Sequence, residues 1–155
     1  MANTYTQIYI HVVFAVKFRQ NLIQPEWESR LFQYITAIVQ YHGHKLLQVN
    51  GVKDHIHLLI NMKPTQSLSD LIKQVKQDSS RWINDKGLTP TKFAWQAGFG
   101  AFSYATSEVP NVIRYIERQK EHHYGQNSQF LDEYHRLLKE FDIDFNEAYV
   151  FKNPE

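Results

Sequence analysis

The chain opens with a regular alternation of apolar and more polar positions. The apolar positions of this alternation are Ile8, Ile10, Val12, Phe14, Val16 and Phe18. A period of two residues, with several β-branched side chains, is typical of a β-strand that buries one face. We therefore predict a first strand whose even-numbered side chains face the core. The opposite face carries Tyr5, Tyr9 and His11; it is either the solvent side of a sheet or a surface on which nucleotide bases stack.

The next segments predict a helix and a pair of strands. Apolar residues recur at three- and four-residue steps over residues 26–41, directly after Pro25, which predicts a helix there. A short strand is predicted over residues 45–49. Asn50-Gly51 is a strong two-residue hairpin signal, and it joins this strand to the next, over residues 54–60.

The second half of the chain predicts another helix, a strand region and a further helix. Helical spacing indicates a helix from about residue 67 to residue 86. Residues 93–104 are rich in aromatic and small side chains, and we predict one or two strands broken at Gly98 or Gly100. A glycine at such a break can also admit a ligand close to the backbone. Pro110 marks the start of the later helix.

The order of these elements predicts the fold class. Strand, helix, strand, strand, helix, strand is the βαββαβ order of an α+β fold: a ferredoxin-like or RRM-like antiparallel sheet with helices on one face. The other face then stays open, and His11, His55 and His57 share it. We predict one domain over residues 1–140 and a tail over residues 141–155, in which four acidic residues stand against one lysine.

Composition restricts the class of protein. Of the 155 residues, 43% are hydrophobic and 21% are charged, which is typical of a soluble globular domain. The chain has no cysteine, so any metal site must use nitrogen and oxygen ligands. No apolar run approaches the roughly 20 residues that cross a bilayer, and we expect a cytoplasmic protein without a membrane partner. The net charge of +1 permits a polyanionic partner without requiring one.

Candidate chemistry begins with the predicted strand at Asp54-His55-Ile56-His57. A strand directs His55 and His57 to one face, with about 7 Å between their Cα atoms, and the apolar residues to the other face. Two ring nitrogens at this spacing can converge on one metal ion or one phosphate. Two histidines on a half-exposed strand are also common as solvated polar residues, so the spacing alone leaves both interpretations open.

The helix after Pro110, expected over about residues 109–124, carries a second group. Tyr115 and Gln119 are four residues apart and lie on one face of this helix, off its apolar stripe. Gln119 offers a carbonyl oxygen that can complete a site with the two imidazoles. The phenol of Tyr115 would then lie one turn from the cation, an arrangement that suits attack on a metal-polarised phosphodiester. A helical tyrosine that stands alone is more often a packing or surface residue.

The second predicted helix carries a basic stripe. Its members are Lys73, Lys76, Arg81 and Lys86. They are either phosphate contacts or the solvated face of an amphipathic helix.

On four blocks of residues the chain resembles the single-tyrosine HUH transposases of the insertion-sequence-200/605 type. The blocks are Thr4–Ile8, Asp54 with His55-Ile56-His57, the segment 93–102, and the tyrosine-x-x-x-glutamine helix of Tyr115 to Gln119. Occurring in this order, they cover nearly the whole chain and are more specific than either motif alone.

The resemblance implies a DNA transposase that acts as a dimer on single-stranded DNA with hairpins near the ends of its element. It implies that His55, His57 and Gln119 hold a divalent cation, Mg²⁺ or Mn²⁺. Tyr115 would attack the scissile phosphate and form a covalent 5′-phosphotyrosine. Because family members can take the tyrosine helix from the partner subunit, the active site can be shared. Expected DNA contacts are Tyr9, His11, Lys73, Lys76, Arg81 and Arg118.

Three other interpretations remain open at this stage, the least favoured of which is a structural protein whose histidines are incidental. A related HUH protein can act on repeated extragenic hairpins without an element of its own. A non-catalytic single-stranded nucleic-acid-binding module of RRM-like fold would instead use Tyr5, Tyr9 and His11 to stack bases. If Tyr115 is not the nucleophile, Tyr124 is the next candidate.

Overall fold

The computed structural model of the chain describes residues 3–121 and 130–144. His122, His123, Tyr124 and most of the acidic tail therefore lie outside the described residues. Within the described ranges, no helix is both long enough and apolar enough to cross a membrane.

Four antiparallel strands form one sheet. They are β1 (Tyr9–Ala15), β2 (Lys45–Gly51), β3 (His55–Asn61) and β4 (Gly100–Tyr104), in the spatial order β2-β3-β1-β4. A hairpin joins β2 to β3 as predicted, but its turn lies at residues 52–54 and not at Asn50-Gly51, which still pair with His57 and Ile56. The turn is closed by the Val52 amide, which donates to the His55 carbonyl at 3.0 Å. Strand β1 pairs with both β3 and β4 at the centre of the sheet. The predicted α+β fold class is confirmed.

Four helices complete the described fold. They are α1 (Pro25–Tyr41), α2 (Leu68–Asp85), α3 (Val109–Glu117) and α4 (Phe130–Glu140). Ser67 caps α2, because its side chain accepts a hydrogen bond from the Asp70 backbone amide at 3.1 Å. The helix expected over about residues 109–124 is interrupted: α3 ends at Glu117, and Arg118, with φ −94° and ψ 17°, leaves the helical conformation.

The first face of the sheet packs on α1 and α2 around the main core. Alternate residues of β1 and β3 point to this side, as the pattern predicts, and meet the apolar stripes of the two helices. The buried contributors from the sheet include Val12, Phe14, Ile56, Leu58 and Ile60, and those from the helices include Leu31, Ile35, Leu71, Ile72 and Val75.

The second face of the sheet is not open, in contrast to our expectation. Helix α4 covers Val13, Ala15 and Phe102 with the side chains of Phe130, Tyr134, Leu137 and Leu138. Helix α3 covers Leu59 with Val112 and Ile116. The reason is physical: the odd-numbered side of β1 and its neighbours carry enough apolar area to require a cover, and α4 supplies a stripe at helical spacing.

Gly100 lets α4 approach the sheet. A Cβ atom at this position would lie 2.6 Å from Cε1 and 2.7 Å from the hydroxyl of Tyr134. Gly100 and Tyr134 are both buried in the interface between β4 and α4. The close approach that we predicted at a glycine of this segment is therefore made by Tyr134 and not by a ligand.

We expect Gly100→Ala to destabilise the protein by about 1–3 kcal/mol, because the added methyl group overpacks this interface. Urea unfolding followed by circular dichroism measures the effect. The double variant Gly100→Ala/Tyr134→Leu serves as the control, since leucine lacks the ring atoms that clash. It should lose less stability than the sum of the two single variants. Strict additivity would contradict the assigned contact.

Candidate active site around a buried histidine pair

Strand β3 places His55 and His57 on the second face of the sheet, under α3 and α4. Both side chains have 0% of their surface exposed, and their ring centroids are 5.2 Å apart. The alternation of the strand explains their common side, and the antiparallel register sets them beside Ala15 and Val13 of β1. The histidines are therefore not solvated surface residues.

Each imidazole is oriented through its Nδ1 atom. His55 Nδ1 donates to Asp54 Oδ1 at 2.8 Å, and His57 Nδ1 lies 2.8 Å from His11 Nε2. Contacts of this kind fix the ring orientation and direct the two Nε2 atoms to a common point, as in metal sites in which a further group holds each histidine ligand.

His11 has a different position from the one that base stacking requires. It is fully buried, and its ring stacks on His57 with centroids 5.0 Å apart. Burial, and then the neighbouring His57, lower the pKa of His11 well below its usual range, so the imidazole is neutral. Its Nδ1 atom has no hydrogen-bond partner among the described residues. The prediction of His11 as an exposed DNA contact is corrected: it supports His57.

Glu133 of α4 lies at the common point of the histidine pair. Its Oε1 atom is 3.1 Å from His57 Nε2 and 3.2 Å from His55 Nε2. Its Oε2 atom accepts hydrogen bonds from Gln119 Nε2, at 3.0 Å, and from the hydroxyl of Tyr115. Sequence reasoning missed this residue. The available signal was an acidic side chain on the apolar face of a helix, between Phe130 and Leu137.

Tyr115 and Gln119 reach the same point from the other side. Gln119 is buried, and its Oε1 atom is 3.3 Å from His55 Nε2. The Tyr115 ring lies against His57, with centroids 5.9 Å apart, and Arg136 of α4 donates to its hydroxyl at 3.4 Å. The structure thus brings together the histidine pair, the tyrosine and the glutamine within one chain. The helix spacing predicted the common face of Tyr115 and Gln119 but left open whether they meet the histidines of their own chain.

Asp54 is itself held by a strained segment. Arg19, buried and with φ 52°, places its guanidinium 3.4 Å from Asp54 Oδ2 and over the ring of Phe130 at 5.0 Å. Phe18 before it also has a positive φ, 58°, and neighbouring non-glycine residues in this conformation cost free energy. Burial alone would raise the pKa of Asp54, but His55 and Arg19 lower it, so Asp54 is an anion.

The charges of the site are coupled. Burial by itself lowers the pKa of His55, but hydrogen bonds to Asp54 and Glu133 and their negative charges raise it to about 9. Burial, and then the charge of Glu133, raise the pKa of the Tyr115 phenol above its usual range, so without a cation the phenol keeps its proton. Any activation of Tyr115 near neutral pH must therefore change its surroundings.

The donor set fits a divalent cation. The ligand atoms of His55, His57 and Glu133 lie within 4.8 Å of one another, and all three side chains are buried. Two imidazoles and one carboxylate are nitrogen and oxygen donors of the kind found in divalent-metal sites. A small cavity of about 180 Å³ adjoins this group, lined by Tyr104, Asn111, Tyr115 and Arg136 among others.

The other predicted DNA contacts lie on α2, on β1 and directly after α3. Lys73 and Arg81 are exposed on α2, which packs on the opposite face of the sheet. Lys76 donates to the backbone carbonyls of Gln96, at 2.8 Å, and of Gly98, and burial lowers its pKa to about 8. Tyr9 is half-buried, and its hydroxyl accepts a hydrogen bond from the Gln7 side chain. Arg118 is exposed and directly follows α3.

The fold and the site define a class: an α+β domain whose sheet presents two histidines to a tyrosine helix. Comparison with known proteins identifies the family. The profile described as "Transposase IS200 like" matches residues 4–119, and the chain belongs to this family.

Curated relatives agree with this assignment. The ISDra2 transposase TnpA of Deinococcus radiodurans is 28% identical over 75 residues, 48% of this chain and 54% of the relative. The transposase for insertion sequence element IS200 of Salmonella typhimurium is 26% identical over 86 residues, 56% of this chain and 57% of the relative. The chain thus spans just over half the length of these relatives.

Two solved structures share the fold. A Deinococcus radiodurans protein provisionally named a transposase aligns with a TM-score of 0.61 and 19% identity, over 77% of this chain and 95% of that one. A REP-associated tyrosine transposase bound to a REP hairpin aligns with a TM-score of 0.60 and 14% identity, over 100% of this chain and 96% of that one.

The raised pKa of His55 gives a pH dependence of stability in the presence of chelator. Its contribution is fully present below the unfolded-state pKa of 6.5 and is lost as the pH rises through about 9. The loss should be on the order of 3 kcal/mol. Urea unfolding at several pH values in EDTA measures it. Asp54→Asn, which removes one of the two carboxylates, should show a smaller loss. Equal slopes for both proteins would contradict the pairing.

Proposed function

We propose that this protein is a DNA transposase that binds hairpin-bearing single-stranded DNA and cleaves and rejoins it through Tyr115. The proposal rests on the contact of the Tyr115 hydroxyl with the Glu133 carboxylate. This carboxylate also contacts both His55 and His57, and all four residues belong to one chain. Membership of the IS200-like family and relatedness to curated transposases support it.

The chemistry needs a nucleophile, an electrophilic centre and a leaving group. The Tyr115 oxygen attacks phosphorus and gives up its proton, the P–O3′ bond breaks, and the O3′ atom leaves as a 3′-hydroxyl after it takes a proton. The product is a 5′-phosphotyrosine, which a second 3′-hydroxyl can attack to rejoin the strand. Because the phosphodiester bond is exchanged and not hydrolysed, no nucleotide cofactor is needed.

The cation we propose is Mg²⁺ or Mn²⁺, held by His55 and His57. When bound, it would polarise the phosphate as a Lewis acid. The sequence predicts Gln119 as the third ligand; the structure adds Glu133 to the candidates. Arg136, whose guanidinium lies at the Tyr115 hydroxyl and lines the adjoining cavity, is placed to bind a phosphate oxygen next to the nucleophile.

We propose that Tyr115 acts on the active site of its own chain. Its hydroxyl already contacts Glu133 and Arg136, and Gln119 contacts His55. A homodimer, a cytoplasmic location and hairpins near element ends stay predictions. The hairpin bound to the REP-associated relative supports the last of these as a substrate class.

A second candidate is a protein that processes repeated extragenic hairpins. The REP-associated tyrosine transposase aligns with the whole chain, α4 included, whereas the other structural relative covers 77% of it. A non-catalytic base-stacking module is less well supported, because His11 is buried and the second face of the sheet is covered.

We expect Tyr115→Phe to abolish cleavage of hairpin-bearing single-stranded DNA while hairpin binding stays within a few-fold of the wild type. The phenyl ring keeps the packing against His57, and only the nucleophilic oxygen is lost. Denaturing gel electrophoresis with labelled DNA and Mn²⁺ detects the covalent protein–DNA product. Tyr134→Phe, which removes the hydroxyl that lies against Gly100, is the matched control. Cleavage by Tyr115→Phe at the wild-type rate would move the nucleophile to another residue.

The basic residues of α2 give a prediction about salt dependence. Neutralising Lys73, whose ammonium is exposed, should flatten the dependence of log binding constant on log salt by about one ion. Lys76→Met should leave the slope unchanged, because its ammonium is already bound by two carbonyls. Fluorescence anisotropy with a labelled hairpin between 50 and 200 mM salt, roughly the range in which such contacts show, separates the two. A slope unaltered on neutralising Lys73 would assign this residue to the solvated face of α2.

A further inference from the structure

We propose that Glu133 is the third protein ligand of the cation and that Gln119 orients Glu133 instead of binding the metal. This inference rests on the proposed function, because it concerns the same site. It changes the expected ligand set from His55, His57 and Gln119 to His55, His57 and Glu133. The third ligand then comes from α4. This helix lies after residues 4–119, which are the residues that the family profile matches.

The geometry favours the carboxylate over the amide. Glu133 Oε1 is nearly equidistant from the two Nε2 atoms, at 3.1 and 3.2 Å, so one cation can be shared by all three groups. The Gln119 oxygen lies farther away, at 3.3 Å from His55 Nε2, while its nitrogen donates to Glu133. An amide in this position holds the carboxylate in place, as a group behind a metal ligand does.

The chemistry points in the same direction. Mg²⁺ and Mn²⁺ prefer hard oxygen donors, and a carboxylate contributes a full negative charge that an amide oxygen lacks. A buried carboxylate in turn requires a cationic partner, because leaving it unpaired in the protein interior costs several kcal/mol. An imidazole such as that of His55, 3.2 Å away, is one such partner, and a divalent cation is a stronger one. A divalent cation between Glu133 and the two imidazoles satisfies both requirements.

The two oxygens of Glu133 then have separate roles. Oε1 faces the imidazoles, and Oε2 accepts from Tyr115 and Gln119. Glu133 therefore fixes the position of the nucleophile relative to the cation. A metal bound in this way also joins α4 to β3, so part of its binding free energy becomes docking energy of α4 on the sheet.

Mn²⁺ binding to the full-length protein, measured by isothermal titration calorimetry and by the electron paramagnetic resonance signal of free Mn²⁺, tests the ligand set. We expect Glu133→Gln to weaken binding about 100-fold or more and Gln119→Met about tenfold, the size of effect typical of a group behind a ligand. Asp132→Asn, which removes an exposed carboxylate from the neighbouring position of α4, is the matched control and should bind as the wild type does.

Backbone hydrogen exchange gives a second readout that does not depend on cleavage. Mn²⁺ should slow exchange across residues 130–140 in the wild type and in Asp132→Asn but not in Glu133→Gln. If Glu133→Gln does not fold, Glu133→Asp keeps the carboxylate on a shorter arm and should weaken Mn²⁺ binding about tenfold. Wild-type affinity in whichever of these two variants folds overturns the assignment of Glu133.

His57→Ala distinguishes this failure from failure of the proposed function. If His57→Ala loses Mn²⁺ binding while Glu133→Gln retains it, the metal centre stands and the third ligand is not Glu133. If His57→Ala itself binds Mn²⁺ as the wild type does, the metal centre of the proposed function is wrong, and this inference fails with it.

Discussion

The site depends on the interactions of one buried group, the carboxylate of Glu133. It contacts both imidazoles of the histidine pair, the Gln119 amide and the Tyr115 hydroxyl, and it is 3% exposed. Removing a charge from water costs several kcal/mol unless partners replace the lost hydration. The fold must therefore supply partners for the Glu133 carboxylate as well as the carboxylate itself. His55, which bridges Glu133 and Asp54, extends the network to Arg19.

The apolar packing around this network explains why a polar site can exist inside the protein. Helix α4 docks through Phe130, Tyr134, Leu137 and Leu138, and this interface sets the position of Glu133 within the same helix. Gly100 contributes by having no side chain where the Tyr134 ring must lie. The hydrophobic contacts supply the stability that offsets desolvation of the charges, and the charges fix the orientation of the helix.

The sequence predicts what depends on local periodicity and fails where a distant segment decides. The alternation of β3 predicted the common side of His55 and His57, and the four-residue step predicted that of Tyr115 and Gln119. The position of Glu133 could not be predicted, because it depends on the docking of α4. This docking brings Glu133 into contact with His57, which lies 76 positions earlier in the sequence. His11 was misjudged for the same reason: in an exposed-face pattern, nothing in the local sequence indicates that another element will cover the imidazole.

The covered second face bears on where the nucleophile comes from. In a domain with an open sheet, a tyrosine helix from a second subunit has room to reach the histidine pair. Here α3 and α4 of the same chain occupy that face. Tyr115 is a residue of α3, and its hydroxyl contacts Glu133 and Arg136 of α4. A partner's copy of α3 would carry the same Tyr115 and Gln119, but it would first have to displace the apolar contacts that Val112 and Ile116 of this chain make with Leu59. Completion of the site within one chain is therefore favoured by the same packing that buries it.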